Sequence, residues 1–248
     1  MKWRLLNTGF NSGAFNMKFD LDLVNSIKPS EAVLRFYRWK PFCISLGHNQ
    51  KFQDINSELA KADNIDIVKR PTGGRAILHA EELTYSIILP NSLGLSNEEI
   101  YNLTSDALVK GLMFFNSVFQ KLEQENLQPD FKKEYRQPQS VLCFSSTARH
   151  EIKFDGRKII GSAQRRMAKG LLQHGSILVG NYHKNIIKYL NVSPEDRNLI
   201  EKNTITKTTE ISSILKNVID YEKLTEAIIQ GFEVVWGSKF YTRTAERS

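Results

Sequence analysis

Along the 248 residues the apolar positions change period several times, and each change marks an element. Residues 13–27 place Phe15, Phe19, Leu23 and Val24 at helical spacing, which predicts an amphipathic helix. Two β-rich runs follow, AVLRFYRW at 32–39 and CISLGH at 43–48, split by Lys40-Pro41. Residues 54–63 have the pattern of a short helix. IDIVKR then leads into P-T-G-G-R, followed by AILH and LTYSIIL, which reads as strands joined by a special loop. Ser96 with Glu99 three residues later is a capping box. It predicts a long helix reaching about Leu122, with Leu108, Leu112, Phe115 and Phe119 on its buried face. The charged, proline-containing stretch 123–140 predicts a loop. Beyond it, HEIKF and RKIIG flank Asp155-Gly156, a strong hairpin signal, and LLQHGSILV supplies a further strand after a turn at 167–170. From Lys184 onward the pattern is helical, ending in YEKLTEAIIQGFEVVW. Strands with local hairpins followed by helices predict an α+β fold rather than a doubly wound one.

Composition adds limits. With 41% apolar and 25% charged residues, the chain has the profile of a soluble globular protein. A chain of this size buries roughly three quarters of its unfolded surface, so it needs neither disulfides nor metal to fold. The two cysteines, Cys43 and Cys143, lack C-x-x-C spacing and read as reduced thiols. The N-terminus has no apolar core with a cleavage site, and no run approaches about 18 apolar residues. A cytoplasmic protein without membrane contact is expected. Lys and Arg number 34 against 27 Asp and Glu, a net charge of +7 that points to a polyanionic partner. No zinc-finger spacing, RNP-like aromatic pair or unbroken basic run accompanies the charge, which favours an acidic protein over nucleic acid.

Four segments could carry chemistry. In Lys69-Arg70-Pro71-Thr72-Gly73-Gly74-Arg75, ending at His79, paired glycines allow close backbone approach. The arginines suit a carboxylate, phosphate or thioester oxygen, although the segment also reads as an ordinary glycine hairpin. It matches neither a Walker A nor a G-x-G-x-x-G pattern. In Gly156–Gln164, Lys158 follows a tight hairpin on a strand, and Gly161-Ser162-Ala163 is a run of small residues that leaves room for a ligand. Lys158 alone reads equally as an edge-strand surface lysine. In Gln173-His174-Gly175-Ser176, a histidine and a glycine interrupt a buried strand. In Val141-Leu142-Cys143-Phe144-Ser145, a cysteine ends the polar loop before the Lys158 hairpin, where a nearby ammonium would favour the nucleophilic thiolate. Cys43, inside a strand, reads as core.

Taken together the segments resemble the lipoate–protein ligase and octanoyltransferase group of the biotin/lipoate ligase fold, and among them the cysteine-dependent octanoyltransferases of lipoate assembly. The resemblance runs from Trp3 to about Val179 through W-R-L-L-N-T-G, R-F-Y-R-W-K-P, R-P-T-G-G-R-A-I-L-H, E-L-T-Y-S, S-V-L-C-F, G-R-K-I-I-G-S-A-Q-R-R and L-Q-H-G-S-I-L. It implies a mixed, mostly antiparallel sheet flanked by helices, in a single acyltransferase domain over 1–248 whose part from about 184 is helical. It further implies an acyl tunnel under the glycine loop. Cys143 falls on the acyl-accepting cysteine and Lys158 on the lysine that contacts the acyl carbonyl. Arg70, Thr72, Gly73, Gly74, Arg75, His79 and Tyr85 fall on the substrate loop and its flank, with Gly161, Ser162, Ala163, His174 and Gly175 lining the same pocket. Two departures stand out: Ala80 where the family has an aspartate after the loop histidine, and Asn16-Met17-Lys18-Phe19-Asp20-Leu21 in place of the family's first-helix Asn-Met then Asp-Glu.

The implied activity is octanoyl transfer from acyl carrier protein, through a Cys143 thioester, to a lysine of a lipoyl domain such as glycine-cleavage H protein or a dehydrogenase-complex acyltransferase. Thioester exchange followed by amide formation calls for no ATP, metal or cofactor, and a monomer suffices. Acyl transfer between two lipoyl domains and an ATP-dependent lipoate ligase are alternative activities of the same group. A basic binding module is the alternative outside it.

Overall fold

The computed structural model describes residues 1–124 and 152–242. It opens with β1 (Lys2–Asn11), α1 (Gly13–Ser26), β2 (Glu31–Trp39), β3 (Cys43–Leu46) and α2 (Ser57–Ala62). Next come β4 (Asp66–Lys69), β5 (Ile77–His79), β6 (Glu82–Pro90), α3 (Asn97–Phe115), β7 (Leu122–Gln124), β8 (Ile152–Phe154), β9 (Arg157–Arg166) and β10 (Gly170–Leu178). A 3-10 segment (Tyr182–Tyr189), α4 (Pro194–Lys207), α5 (Ile211–Leu215), α6 (Tyr221–Trp236) and β11 (Phe240–Thr242) complete it.

Among the described residues the strands form an eight-stranded sheet, order β11-β1-β2-β6-β10-β9-β8-β7, and a three-stranded sheet, order β4-β3-β5. In the large sheet β1 pairs in parallel with β2 and β11, and the other pairings are antiparallel. The expected α+β architecture, a mixed and mostly antiparallel sheet flanked by helices, is what the chain adopts.

The large sheet has two buried faces, and β6 shows how they differ. All nine of its residues are buried. Leu83, Tyr85, Ile87 and Leu89 join the main core with Ala107, Leu108 and Leu112 of α3 and Leu224, Ile228 and Phe232 of α6. Alternation sends Glu82, Thr84 and Ser86 to the opposite face. There α1 packs, with Leu23, Val24, Val33, Ile88 and Leu172 forming a smaller apolar cluster.

Two glycines set the spacing on the main-core side. A Cβ on Gly111 would lie 2.6 Å from Ile228 Cα, and one on Gly231 would lie 2.3 Å from the Ala107 carbonyl oxygen. Backbone therefore meets backbone where α3 crosses α6.

Several sequence expectations need correction. The capping box at Ser96 and Glu99 forms, but α3 stops at Phe115, where Asn116 turns extended and its side chain accepts from Val118 N. A competing cap thus ends the helix seven residues before Leu122. Leu108, Leu112 and Phe119 are fully buried, whereas Phe115 is only partly so. Residues 123–124, read as loop, belong to β7; the rest of that stretch lies outside the described residues. In α1 the buried stripe includes polar Asn16 and Asp20, while Phe15 is 43% exposed and stacks on Phe19. β1 and β11 were not foreseen, and β11 lies within the part expected to be helical. Both are held by partners distant in sequence: Trp3 packs edge-on against Trp236 and Phe240. The Asp155-Gly156 hairpin forms as expected, with both residues at positive φ. No described helix is long and apolar enough to cross a membrane.

Replacing Gly111 with Ala should force the two helix backbones apart. The expected cost is about 1–3 kcal/mol, lowering Tm by roughly 2–10 °C in circular-dichroism melting.

Candidate active site

Between the large sheet, α1 and the small sheet lies a cavity of about 20 Å³. Its wall includes Met17 of α1, Tyr37 and Trp39 of β2, Ser45 of β3, Arg70, Ile77 and His79. Thr84 of β6, Gly161-Ser162-Ala163 of β9 and His174-Gly175-Ser176 of β10 complete it. The strand pairings explain the gathering, because His174 pairs with Ser86 and Ala163, and Ser176 with Thr84 and Gly161.

The glycine loop roofs this region. Gly74 has φ of 89°, and a Cβ on Gly47 would lie 1.9 Å from the Gly74 carbonyl oxygen, so the loop rests directly on the end of β3. His48 N donates to Thr72 O, and Arg165 Nη1 donates to Pro71 O. Arg70 is turned inward and only 2% exposed. Its guanidinium donates to the carbonyls of Ser45, Gly73 and Arg75 and to Ser45 Oγ. It acts as a strut for the loop, its donors committed to backbone oxygens. Thr72 is buried, and the Arg75 carbonyl is one of the Arg70 acceptors.

Two hydroxyl–imidazole–carboxylate chains run beneath the loop. In the first, Ser45 Oγ lies 2.7 Å from His79 Nε2, and His79 Nδ1 lies 2.8 Å from Glu82 Oε1. The same oxygen accepts from Thr84 Oγ1 and Ser176 Oγ. Trp39 stacks on His79 at 4.1 Å and donates its indole N–H to Thr84. In the second, Thr72 Oγ1 lies 2.6 Å from His174 Nε2, and His174 Nδ1 lies 3.6 Å from Asp20 Oδ2. Asp20 accepts from Arg35, Ser86 and Tyr37.

Burial pushes the Asp20 carboxyl up, but the adjacent His174 and the Arg35 guanidinium outweigh it and hold the group below its ordinary range. Burial likewise raises Glu82, and the charge of His79 with the three donors reverses that. Both carboxylates are therefore ionised at neutral pH. Burial moves His174 the other way, below its ordinary value, which favours the neutral ring.

Of the residues singled out in the sequence, Arg70, His79, Gly161, Ser162, Ala163, His174 and Gly175 meet at this cavity, and Thr72 reaches it through His174. Gly73 and Gly74 lie in the roof. Tyr85 projects to the main core, and only its hydroxyl comes back, to Ser162 Oγ at 2.7 Å. Lys158 is 2% exposed, three residues before Gly161 on β9, where its backbone bridges Thr208 and accepts from Thr209 N. Thr208 is in turn pinned by buried His183, whose Nε2 lies 3.1 Å from Thr208 Oγ1. Cys143 lies outside the described residues. Cys43 packs with Met17, Tyr37 and Trp39, and burial, reinforced by Asp66 and Glu82, pushes its thiol well up. Among the described residues no cluster of three His, Cys, Asp or Glu is placed to hold a metal.

Sequence reasoning missed Asp20, Arg35, Ser45, Glu82 and Thr84, and quoted Ser176 only as part of the His174 segment without giving it a role. One signal was present: Glu82, Thr84 and Ser86 alternate through the otherwise apolar ELTYSIIL, as a polar stripe on a fully buried strand. Ala80, in the position of the family aspartate, is buried, and its carbonyl accepts from Glu82 N, while the Glu82 side chain holds His79.

A glycine loop thus lies over a small cavity on a mixed sheet. Residues 12–233 match the family "Lipoyl protein ligase A/B catalytic domain", and the chain belongs to it. The octanoyltransferase LipM of Clostridioides difficile (strain 630) is 34% identical over 246 residues, covering 96% of this chain and 89% of that protein. The LipM of Bacillus subtilis (strain 168) is 33% identical over 244 residues, covering 93% and 85%. Among solved structures, a bi-partite lipoate protein ligase from Thermoplasma acidophilum matches with a TM-score of 0.76 at 20% identity, over 99% of this chain and 88% of that one. Kinship of this extent makes the protein an acyltransferase.

Two predictions follow from this geometry. A Cβ on Gly175 would lie 2.5 Å from the Gly161 carbonyl oxygen and 2.8 Å from the Tyr85 ring. Gly175→Ala should therefore splay β9 from β10 and reduce acyl transfer at least about tenfold, read from initial rates alongside Tm. The His183 ring, lowered from 6.5 to about 4 by burial, sets an acid limit. Between those two pH values the unfolded chain binds the proton that the folded one refuses, so stability falls as pH drops, by on the order of 3 kcal/mol in all. The ionised Asp20 and Glu82 add a separate loss below about pH 4. Urea unfolding at stepped pH should show the first slope in the native protein and a shallower one in His183→Gln, the remainder coming from His174, which burial also lowers.

Proposed function

We propose that the protein moves an octanoyl group from acyl carrier protein, through a thioester on Cys143, to a lysine of a lipoyl domain in lipoate biosynthesis. The acceptor is glycine-cleavage H protein or a dehydrogenase-complex acyltransferase. One observation carries this reading. Every polar side chain on the cavity wall is bonded within the protein: Tyr37, Trp39, Ser45, Arg70, His79, Thr84, Ser162, His174 and Ser176 each have a protein partner. A wall whose polar side chains are already engaged offers mainly carbon and aromatic faces, which suits a saturated acyl chain better than a polar ligand. Kinship with octanoyltransferases over most of both chains supports the same substrate.

At about 20 Å³ the cavity has room for about one water. An octanoyl chain enters by displacing wall side chains, of which the unbranched Met17 is the most adaptable.

The Cys143 thiolate attacks the donor thioester, the carrier thiol leaves, and the acceptor lysine then attacks the new thioester to form the amide. Thioester exchange is near thermoneutral and amide formation downhill, so no ATP enters. Lys158 polarises the carbonyl and stabilises the developing oxyanion, a contribution of about 10²–10³ in rate for one such donor. The alternative nucleophile, Cys43, is disfavoured by its buried, protonated thiol. A net charge of +7 favours encounter with acidic carrier and lipoyl proteins.

Mass spectrometry after mixing with octanoyl-carrier protein should show one octanoyl adduct on the native protein, released by hydroxylamine, and none on Cys143→Ala. An adduct that persists in Cys143→Ala, or transfer that runs only with free octanoate and ATP, overturns the proposal.

A further inference from the structure

We propose that Glu82 is a specificity-determining residue: it draws the protons of His79, Thr84 and Ser176 on the cavity wall onto itself and so keeps that part of the acyl site apolar. This rests on the octanoyl reading above and names what within the site enforces it. Glu82 is 1% exposed, and its single oxygen Oε1 takes His79 Nδ1–H at 2.8 Å, Thr84 Oγ1–H at 2.6 Å and Ser176 Oγ–H at 2.8 Å. Behind these primary donors stand others. Arg70 donates to Ser45 Oγ, Ser45 lies against His79 Nε2, and Trp39 donates to Thr84. With Nδ1–H committed to the carboxylate, the contacts run from Arg70 through Ser45 and His79 to Glu82.

Such a chain needs a terminus with no proton of its own. An ionised carboxylate is that terminus, with about four lone-pair sites, and Glu82 has capacity left: its Oε2 is buried without a partner among the described residues. A carboxamide at the same place offers one neutral carbonyl with two lone pairs and brings two N–H donors. At least one of Thr84, Ser176 and His79 then loses its acceptor, and Thr84 and Ser176, which line the cavity, can turn a hydroxyl proton into it. The wall changes from one that presents carbon to one that presents a donor, and a site with a free donor stops rejecting a polar acyl chain.

The test compares octanoyl- with 8-hydroxyoctanoyl-carrier protein as donors to H protein, in native protein and Glu82→Gln, by kcat/KM. The native protein should favour octanoyl, and Glu82→Gln should narrow that preference about tenfold, mainly through a higher KM for octanoyl. Glu82→Asp, which keeps the charge but shortens the reach, should fall between the two and decides the matter should Glu82→Gln not fold. A substitution that slows both donors equally, leaving the preference unchanged, assigns Glu82 a merely structural part and overturns the inference while the octanoyl reading stands. A native protein that transfers neither acyl group removes both.

Discussion

Two carboxylates are buried under this candidate active site, and the arrangement around them follows from the cost of putting charge where water cannot reach. An isolated ionised carboxylate in an apolar interior is not sustainable; it must be paired, hydrogen-bonded or neutralised. Asp20 meets the requirement with Arg35, Ser86 and Tyr37, and the Arg35 guanidinium also lies 3.9 Å over the Tyr37 ring. Glu82 meets it with His79, Thr84 and Ser176. Satisfying these charges consumes the polar atoms of the surrounding wall, and a cavity rich in polar residues becomes one with apolar character.

The same networks hold the glycine loop in place. Thr72 is tied to His174 and Asp20, while Arg70 is tied through Ser45 to His79 and Glu82. Loop residues that could have served as anion ligands are thereby fixed as framework, and Arg70 is the clearest case. Its net effect is to tie the Gly73 and Arg75 carbonyls of the loop to the Ser45 carbonyl of β3. Removing one member of such a network exposes the rest, so its parts act as a unit.

The division of labour between the two sheet faces makes this affordable in energetic terms. Leu83, Tyr85, Ile87 and Leu89 of β6, with the closely crossing α3 and α6, form the apolar core that stabilises the fold. The reverse face of the same strand is then free to carry Glu82, Thr84 and Ser86. Lys158 stands at the start of the adjoining β9, braced by the backbone of Thr208 and Thr209, where its side chain is carried by a strand rather than by a loop.

Local patterns in the chain determined the elements that rest on neighbours in sequence. The Ser96–Glu99 capping box, the Asp155-Gly156 hairpin and the helical spacing of α1 each have their cause within a few residues, and each forms where the pattern puts it. The glycine loop and the small residues of β9 were legible for the same reason, since backbone conformation and small side chains leave a local mark, whereas His79 and His174 entered the site through the family resemblance. The early end of α3 was also local, but two caps compete there and only the folded chain decides between them. What tertiary structure alone decided is everything that pairs residues far apart: β1 with β11, Asp20 with Arg35, His174 with Thr72, and Glu82 with Ser176. A buried charge in a sequence looks like any other charge. Its partner is chosen by strand register and helix packing, which no short stretch of the chain contains.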